Sequence, residues 1–409
     1  MKDTAPPPAV RPVIPVSDRL GDTQEYYFST KLREIAALRA AGKDILNLGI
    51  GSPDLPPAPQ VIAALTESAH RPDSHGYQPY VGTPELRAAF ARWYANYFGV
   101  PLDPATELLP LMGSKEGIMH ISMAFLNPGD EVLVPNPGYP TYRSATELAG
   151  GVVRDYPLNE AGGWLPDLEA LEAAGLERVK IMWINYPHMP TGATAPPEFF
   201  GRLVDFARRN GILLVNDNPY AFILTDSVQS ILSVPGARAV ALELSSLSKA
   251  QNMAGWRVGV LAGAEAYLRT VLRFKSNMDS GMFLPVQRAA TVALGLDRDW
   301  YDGLNDTYRD RQAAAFRIMD VLGCTYDRQQ VGLFVWAKCA GSSDGYGTCD
   351  RALYDHDVFI TPGGIFGSAG EAYVRISLCS PVAVLEEALR RLSPRSAVSG
   401  DVSKSERSW

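Results

Sequence analysis

Hydrophobic and polar positions follow two different periods along the middle of this chain. Short apolar runs predict strands buried on both faces, and they lie at residues 180–185 (KIMWIN), 212–217 (ILLVND) and 239–246 (AVALELSS). A helical period occupies residues 198–210, between the first two strands, and further helices are predicted over 84–98 and 114–126. This alternation predicts an α/β fold with a mostly parallel central sheet flanked by helices.

The order of the elements changes from about Leu304 onward. A long helix leads to the strand GLFVWAKC, a glycine-rich loop, a short helix, the strands VFITPG and YVRISLC, and a closing helix. This order predicts a smaller α+β domain. The predicted parts are a flexible proline-rich arm (1–16), an N-terminal segment that joins the small domain (17–45), a large domain (46–303), the small domain (304–394) and a disordered polar tail (395–409).

Composition and charge argue against several classes of function. The 409 residues are 46% hydrophobic and 20% charged, as in an ordinary globular protein. A formal net charge of -7 argues against nucleic acid or an anionic membrane as the main partner. The four cysteines show no C-x-x-C spacing, so we expect neither a disulfide framework nor a metal site. There is no signal-peptide core and no membrane-spanning apolar run, which predicts a cytoplasmic location.

The stretch from Ser246 to Gly259, SLSKAQNMAGWRVG, carries the strongest chemical signal. A lysine that attacks a carbonyl needs a lowered pKa, which burial or cationic neighbours provide. Lys249 lies among small residues, and Arg257 is the first charged residue that follows it. The stretch resembles the segment of fold-type I, class I/II aminotransferases that carries the lysine bound to pyridoxal phosphate (PLP). The resemblance implies that Lys249 is the catalytic residue and PLP the cofactor.

Two further motifs offer groups that a PLP site needs. The pyridine nitrogen needs a carboxylate, and Asp217 ends a predicted strand in VNDNPY, although capping of the following turn explains it equally well. The phosphate needs backbone N–H groups at the start of a helix, where Ser114 and Lys115 lie in MGSKEG. An ordinary N-cap turn is the alternative explanation of that hexamer.

An aromatic ring and a carboxylate-binding group are also present. Tyr139, in PNPGYPTY, suits a ring stacked on the cofactor, although a surface turn explains the same residues. Arg375 lies inside the apolar strand YVRISLC, where an arginine is rarely buried unless it is paired. Its planar fork suits the carboxylate of an amino acid. An arginine on an edge strand that points to solvent is the alternative.

The resemblance extends over about residues 47–392 and implies roles for other residues. Those roles are phosphate binding by Ser246, Arg257, Ser114 and Lys115, contact with the cofactor's phenolic oxygen by Tyr220, contact near the substrate carboxylate by Gly51, and entry into the neighbouring subunit's phosphate site by Tyr77. The last of these roles implies a homodimer with shared active sites.

One departure from the family pattern lies in NYPHMPTG. The family usually reads NPTG, with an asparagine bonded to the phenolic oxygen, and Met189 occupies that position. Methionine cannot donate that hydrogen bond. We therefore expect the imine between Lys249 and the cofactor to stay protonated to higher pH than is usual, unless His188 or Tyr220 compensates. A satisfied turn residue is the simpler interpretation of His188.

The reaction that the resemblance implies is ping-pong transamination, which moves an amino group from an L-amino acid to a 2-oxo acid. Other PLP chemistry on the same fold, β-elimination or cyclisation, is the alternative. The resemblance is to the subgroup that includes broad amino-acid and LL-diaminopimelate-type aminotransferases. The sequence leaves the side chain of the substrate open among neutral, aromatic and diaminopimelate-like donors. Lys275 is a candidate partner for a second carboxylate, and the segment EYYF (25–28) either folds over the site or packs as core.

Unrelated functions fit parts of the sequence less well. Ser246-x-x-Lys249 fits the serine motif of β-lactamases, but their SDN and KTG elements do not occur. GSSDG at 341–345 fits the elbow of α/β-hydrolases, with His356 as the only histidine that follows it. A ligand-sensing domain of a transcription regulator would need a DNA-binding module, which the short N-terminal arm cannot supply.

Overall fold

The computed structural model describes residues 14–21, 23–341 and 344–394. The predicted tail (395–409) and most of the predicted arm (1–16) lie outside the described residues. The helices are α1 (Tyr27–Ala40), α2 (Pro59–Ala69), α3 (Pro84–Phe98), α4 (Ser114–Phe125), α5 (Pro140–Leu148), α6 (Leu168–Ala173), α7 (Pro197–Asn210), α8 (Glu265–Lys275), α9 (Leu284–Ala293), α10 (Arg298–Val321), α11 (Gly345–His356) and α12 (Val382–Leu392). The strands are β1 (Leu46–Asn47), β2 (Leu108–Leu111), β3 (Glu131–Asn136), β4 (Val152–Pro157), β5 (Val179–Ile184), β6 (Leu213–Asp217), β7 (Ala241–Ser246), β8 (Gly259–Gly263), β9 (Phe334–Lys338), β10 (Val358–Phe359), β11 (Thr361–Pro362) and β12 (Tyr373–Ser377).

A seven-stranded sheet forms the centre of the fold, in the order β2-β8-β7-β6-β5-β3-β4. β8 runs antiparallel to both neighbours, and the remaining pairs are parallel. This confirms the predicted α/β fold with a mostly parallel sheet. Side chains of α4, α5 and α8 pack on one face, and those of α3 and α7 belong to the larger cluster on the other. Strands covered on both faces can be apolar throughout, which explains the continuous apolar runs of the sequence.

Three neighbouring strands end at the same edge of this sheet. β5, β6 and β7 run parallel and in register, so their carboxyl ends bring Asn185, Asp217 and Ser246 together. Open α/β sheets bind ligands beyond such ends, because the loops that follow the strands leave a crevice there.

The C-terminal part of the chain forms a second, smaller set of strands. β12 lies between β11 and β9 and is antiparallel to both. β1 pairs in parallel with β10, which brings the N-terminal segment against this part. A small cluster of Ile35, Ile45, Leu353 and Phe359 packs α1 on the same unit. As a result, α1 and the loop after β1 lie next to the edge where β6 and β7 end.

The structure sharpens the predicted bounds. α3 begins after Thr83, whose side chain accepts a hydrogen bond from the Leu86 backbone at 3.3 Å, as the sequence predicts. The predicted strand VFITPG is instead two short strands, β10 and β11, in different sheets. The strand predicted from residue 239 begins at Ala241, because residues 237–239 form a 3-10 turn. The boundary predicted between 303 and 304 falls inside α10, so the division into domains stays a prediction.

No helix within the described ranges combines the length and the apolar character that crossing a membrane needs.

Candidate active site

One cavity of about 560 Å³ collects almost all of the candidate residues. It opens beyond the carboxyl ends of β6 and β7, and the N-terminal segment and β12 contribute to its walls. The predicted site residues that line it are Gly51, Ser114, Lys115, Tyr139, Asp217, Tyr220, Ser246, Lys249, Arg257 and Arg375. Tyr77 does not line it and is 93% exposed on the surface of the chain.

Lys249 lies in the environment that the sequence predicts for a reactive amine. Its Nζ donates a hydrogen bond to the backbone oxygen of Gly51 at 2.8 Å. Burial lowers the pKa of Lys249, and the guanidinium groups of Arg375 and Arg257 lower it further. An ammonium held this way releases its proton more readily than a solvated lysine.

Asp217 carries a carboxylate oxygen without a hydrogen-bond partner in the described part of the chain. The hydroxyl of Tyr142 donates to Oδ2 at 2.9 Å, while the buried Oδ1 has no donor. Burial raises the pKa of Asp217 to about 7, although the bond from Tyr142 works in the opposite direction. Among the described residues the Asp217 side chain makes no capping bond to the turn that follows, so capping does not explain its presence there.

The start of α4 and the side chain of Arg257 form a cradle suited to an anion. Ser114 is the first residue of α4, where backbone N–H groups lack helical acceptors. Gly113 before it has a φ of 87°, and a Cβ there would lie 2.1 Å from Nη2 of Arg257. Only glycine therefore lets the guanidinium approach the end of the helix. Lys115 lies beside them, and burial together with the charge of Arg257 lowers its pKa.

Arg375 is a buried cation without an acidic partner among the described residues. It lies on β12, between β11 and β9, so the alternative of a solvent-facing edge arginine is wrong. Nη2 donates to the Gly49 carbonyl at 3.0 Å, Nη1 lies 3.4 Å from Sδ of Met189, and Nε has no acceptor. Its guanidinium carbon is 3.8 Å from the centroid of the Phe334 ring. An unpaired buried guanidinium of this kind is suited to bind a carboxylate.

Comparison with known proteins decides the family. Residues 43–392 match the sequence model of the family described as aminotransferase class I and II. The chain belongs to that family. It is therefore an enzyme of amino acid metabolism that transfers nitrogenous groups by transamination.

Named relatives and solved structures agree with this assignment. The LL-diaminopimelate aminotransferase of Desulforudis audaxviator is 43% identical over 376 residues, which cover 91% of this chain and 96% of that protein. The enzyme of the same name from Aquifex aeolicus is 39% identical over 381 residues, which cover 92% and 98%. Substrate-bound BacF from Bacillus subtilis is 36% identical with a TM-score of 0.88, over 93% of this chain and 97% of that one. A double mutant of Thermus thermophilus aspartate aminotransferase is 26% identical with a TM-score of 0.86, over 93% and 99%.

The two residues at the family departure have different surroundings in this aminotransferase. Met189 is buried and lines the cavity, with its sulfur against Arg375. His188 does not line the cavity, and its Nδ1 lies 2.8 Å from Oγ1 of Thr191. Burial lowers the pKa of His188 to about 3, so its ring is neutral. His188 is therefore best described as a buried residue of the turn, and the expected high pH for imine deprotonation stays a prediction.

Several lining residues were missed by sequence reasoning. Ser248 and Asn185 line the cavity, and Tyr142 bonds Asp217 there. The sequence contained a clue to two of them. Asn185 directly follows β5, just as Asp217 ends the neighbouring strand β6, and Tyr142 lies three residues after the candidate Tyr139. The interpretation of Lys275 as a partner for a second substrate carboxylate is wrong. Lys275 lies outside the cavity and forms an ion pair with Asp279, with 2.7 Å between Nζ and a carboxylate oxygen.

The cofactor-free aminotransferase should lose stability between pH 5 and pH 8 because of Asp217. Burial raises the pKa of Asp217 from 3.8 to about 7, so between these two pH values the folded chain keeps a proton that the unfolded chain has released. The free energy of unfolding therefore falls as the pH rises from about 4 to about 7, by on the order of a few kcal/mol. Asp217→Asn should reduce the difference between thermal unfolding midpoints measured at pH 5 and pH 8.

Glu243 provides an internal reference for that measurement. Burial raises its pKa to about 7 as well, so the Asp217 variant should retain part of the pH dependence. An unchanged pH dependence in Asp217→Asn would show that Asp217 is ionised in the folded, cofactor-free chain.

Proposed function

We propose that this aminotransferase binds PLP in the cavity and holds it through Lys249. The observation that carries the proposal is the pairing of a lysine of lowered pKa with a buried carboxylate oxygen of Asp217 that lacks a donor. The bound group supplies an electron sink for breaking bonds at the α-carbon of an amino acid. The unpaired Oδ1 of Asp217 suits the N–H of a protonated pyridine ring, which would also remove the penalty of its burial.

The remaining residues of the cavity divide by their chemistry. Ser114, at the start of α4, together with Arg257 and Lys115, suits a phosphate group. Ser246 and Ser248 add hydroxyls that lie 2.7 Å from each other. Tyr139 and Tyr220 offer an aromatic face and a phenol to the same group. All seven of these residues line the same cavity as Asp217 and Lys249.

The chain's own groups would handle the substrate as follows. Arg375 binds the α-carboxylate, because a planar guanidinium pairs with a carboxylate through two parallel hydrogen bonds. This contact orients the Cα–H bond toward the face that Lys249 occupies. The free Nζ of Lys249 then accepts the proton from Cα. The same amine would afterwards donate that proton to the bound group, which completes the transfer. The water-poor, aromatic surroundings of Arg375 strengthen the carboxylate contact.

We also propose that the active enzyme is a homodimer to which each chain contributes Tyr77 at the partner's phosphate site. Tyr77 is 93% exposed, an unusual position for a tyrosine. The exposed apolar residues of the same region are Tyr80, Met278 and Phe283. Gly281 contacts the backbone of Gln78, so the two segments that carry them lie against each other. Sedimentation of the holoenzyme should give twice the mass of one chain.

The cytoplasmic location expected from the sequence remains part of the proposed function.

A half-reaction tests the proposed function. Holoenzyme mixed with an amino donor and no acceptor should lose the visible absorbance of its cofactor, with one 2-oxo acid formed per active site. Addition of a 2-oxo acid should restore the absorbance, as ping-pong transamination requires. Release of ammonia, or a cyclic product with no change in the cofactor, would instead support the alternative chemistry of β-elimination or cyclisation.

A further inference from the structure

The N-terminal segment supplies an apolar wall to the cavity. Tyr26, Phe28 and Leu32 line it from this segment and α1, and Ile50 lines it from the loop after β1. The rings of Tyr26 and Phe28 are 5.6 Å apart between centroids, and Phe28 lies 5.5 Å from the guanidinium carbon of Arg375. Because Arg375 receives the substrate carboxylate in the proposed function, Phe28 lies beside the bound amino acid.

The charged side chains that line the cavity already have assigned partners. They are Lys115, Asp217, Lys249, Arg257 and Arg375. In the proposed function the first four bind the cofactor, and Arg375 binds the α-carboxylate of the substrate. Lys115 is further occupied by the ring of Tyr26, whose centroid is 4.6 Å from its Nζ. Within the described residues of one chain, the cavity therefore offers no free ionic partner to the far end of a substrate side chain.

Glu25, the acidic residue that directly precedes Tyr26 in the chain, is also occupied. Glu25 accepts hydrogen bonds from Arg33 at 2.5 and 2.6 Å and from the hydroxyl of Ser29 at 2.5 Å. Glu25 does not line the cavity. A substrate ammonium would have to break this arrangement to gain a carboxylate partner.

The consequence concerns the class of substrate. Among the described residues of one chain, a carboxylate or ammonium on the substrate side chain would meet rings, aliphatic groups and the Ser29 hydroxyl, which already donates to Glu25. Leaving water for these surroundings without an ionic partner is unfavourable. An apolar side chain gains free energy from the same surroundings. We propose that the amino donor of this enzyme is an L-amino acid with a large apolar side chain, aromatic or aliphatic, and not one with a charged end such as LL-diaminopimelate. This inference rests on the proposed function.

Donor specificity in the half-reaction tests the inference without the choice of an acceptor. Holoenzyme should react with L-phenylalanine and L-leucine at apparent second-order rate constants at least about tenfold higher than with L-aspartate, L-glutamate or LL-diaminopimelate. Equal or faster reaction with any of the charged donors would overturn the inference.

A charge placed on the apolar wall gives a second, independent measurement. Leu32 is 43% exposed and Leu20 is 46% exposed, but only Leu32 lines the cavity. Leu32→Arg should lower the ratio of L-phenylalanine to L-glutamate reactivity at least about tenfold, because it gives a second carboxylate a partner. Leu20→Arg, the matched control, should leave this ratio within about twofold of the wild-type value. The same ratio in both variants would contradict the assignment of the wall to the substrate side chain.

Failure of the inference and failure of the proposed function have different signatures. If charged donors convert the cofactor faster than apolar ones, the aminotransferase function stands and only the substrate class is wrong. If no donor converts the cofactor, the proposed function itself is wrong, and the specificity inference is overturned with it.

Discussion

Replacing Lys249 with alanine should reduce transamination by at least about 10³-fold while leaving the fold intact. In the proposed function the variant loses both the amine that holds the cofactor and the base that moves the Cα proton, and proton transfer alone is worth about 10²- to 10⁴-fold. The cradle at the start of α4 and the Asp217 carboxylate are unaffected, so the cofactor should still bind. Turnover with a saturating donor and the cofactor content after dialysis are the two measurements.

A second lysine controls for the loss of charge as such. Lys180 lies on β5 with its side chain exposed, so Lys180→Ala should keep near-normal turnover. Turnover of Lys249→Ala within about tenfold of the wild type would refute the assignment of Lys249, because a proton-transfer residue contributes more than that. A drop in the thermal unfolding midpoint shared by both variants would point to a structural effect.

Replacing Arg375 with leucine should lower kcat/KM for the amino donor by about 10²- to 10³-fold. Truncating one partner of a buried, hydrogen-bonded charge pair costs about 2–5 kcal/mol, and in the proposed function the other partner is the substrate carboxylate. KM should account for much of the loss. The affinity for the cofactor should change little, because Arg375 is bonded to Gly49 and stacked on Phe334 rather than placed in the phosphate cradle.

Arg375→Lys distinguishes geometry from charge. Lysine keeps the positive charge but lacks the planar fork, so kcat/KM should fall at least about tenfold and remain above that of the leucine variant. Arg298, whose side chain is 77% exposed on α10, provides the control, and Arg298→Leu should behave as the wild type. Equal kcat/KM values for Arg375→Leu and the wild type would remove Arg375 from the substrate site.

The sequence predicted the central sheet well for a physical reason. Strands buried on both faces are mostly apolar, and β5, β6 and β7 follow this rule except at Lys180, at Glu243 and at the carboxyl ends of β6 and β7. β4 was not identified, since its pattern is mixed and largely exposed at the edge of the sheet. The two short strands β10 and β11 could not be separated from sequence, because two-residue pairings depend on the partners that the rest of the fold supplies.

The candidate site was predictable wherever a residue type is chemically unusual in its place. An arginine in an apolar strand and a lysine among small residues drew attention to Arg375 and Lys249. Tyr142 was missed because aromatic residues are common in cores. For the same reason the segment 25–28 was left open between folding over the site and packing as core, and only the fold shows that Tyr26 and Phe28 reach the cavity. The wrong interpretation of Lys275 has a similar cause, since its ion pair with Asp279 is a tertiary contact and cannot be distinguished in sequence from a substrate-facing charge.

Two backbone oxygens, those of Gly49 and Gly51, hold the two cations on which the proposed chemistry depends. Arg375 donates to the first at 3.0 Å, and Lys249 donates to the second at 2.8 Å. A Cβ on Gly51 would lie 2.3 Å from the ring of Phe334, so this short segment has little freedom to shift. The separation between the groups that contact the two ends of an amino acid is thus fixed by the covalent length of three residues, and not by flexible side chains. Substrates can therefore differ in their side chains, whereas the backbone sets the separation between the groups that contact the α-carboxylate and the α-amino group.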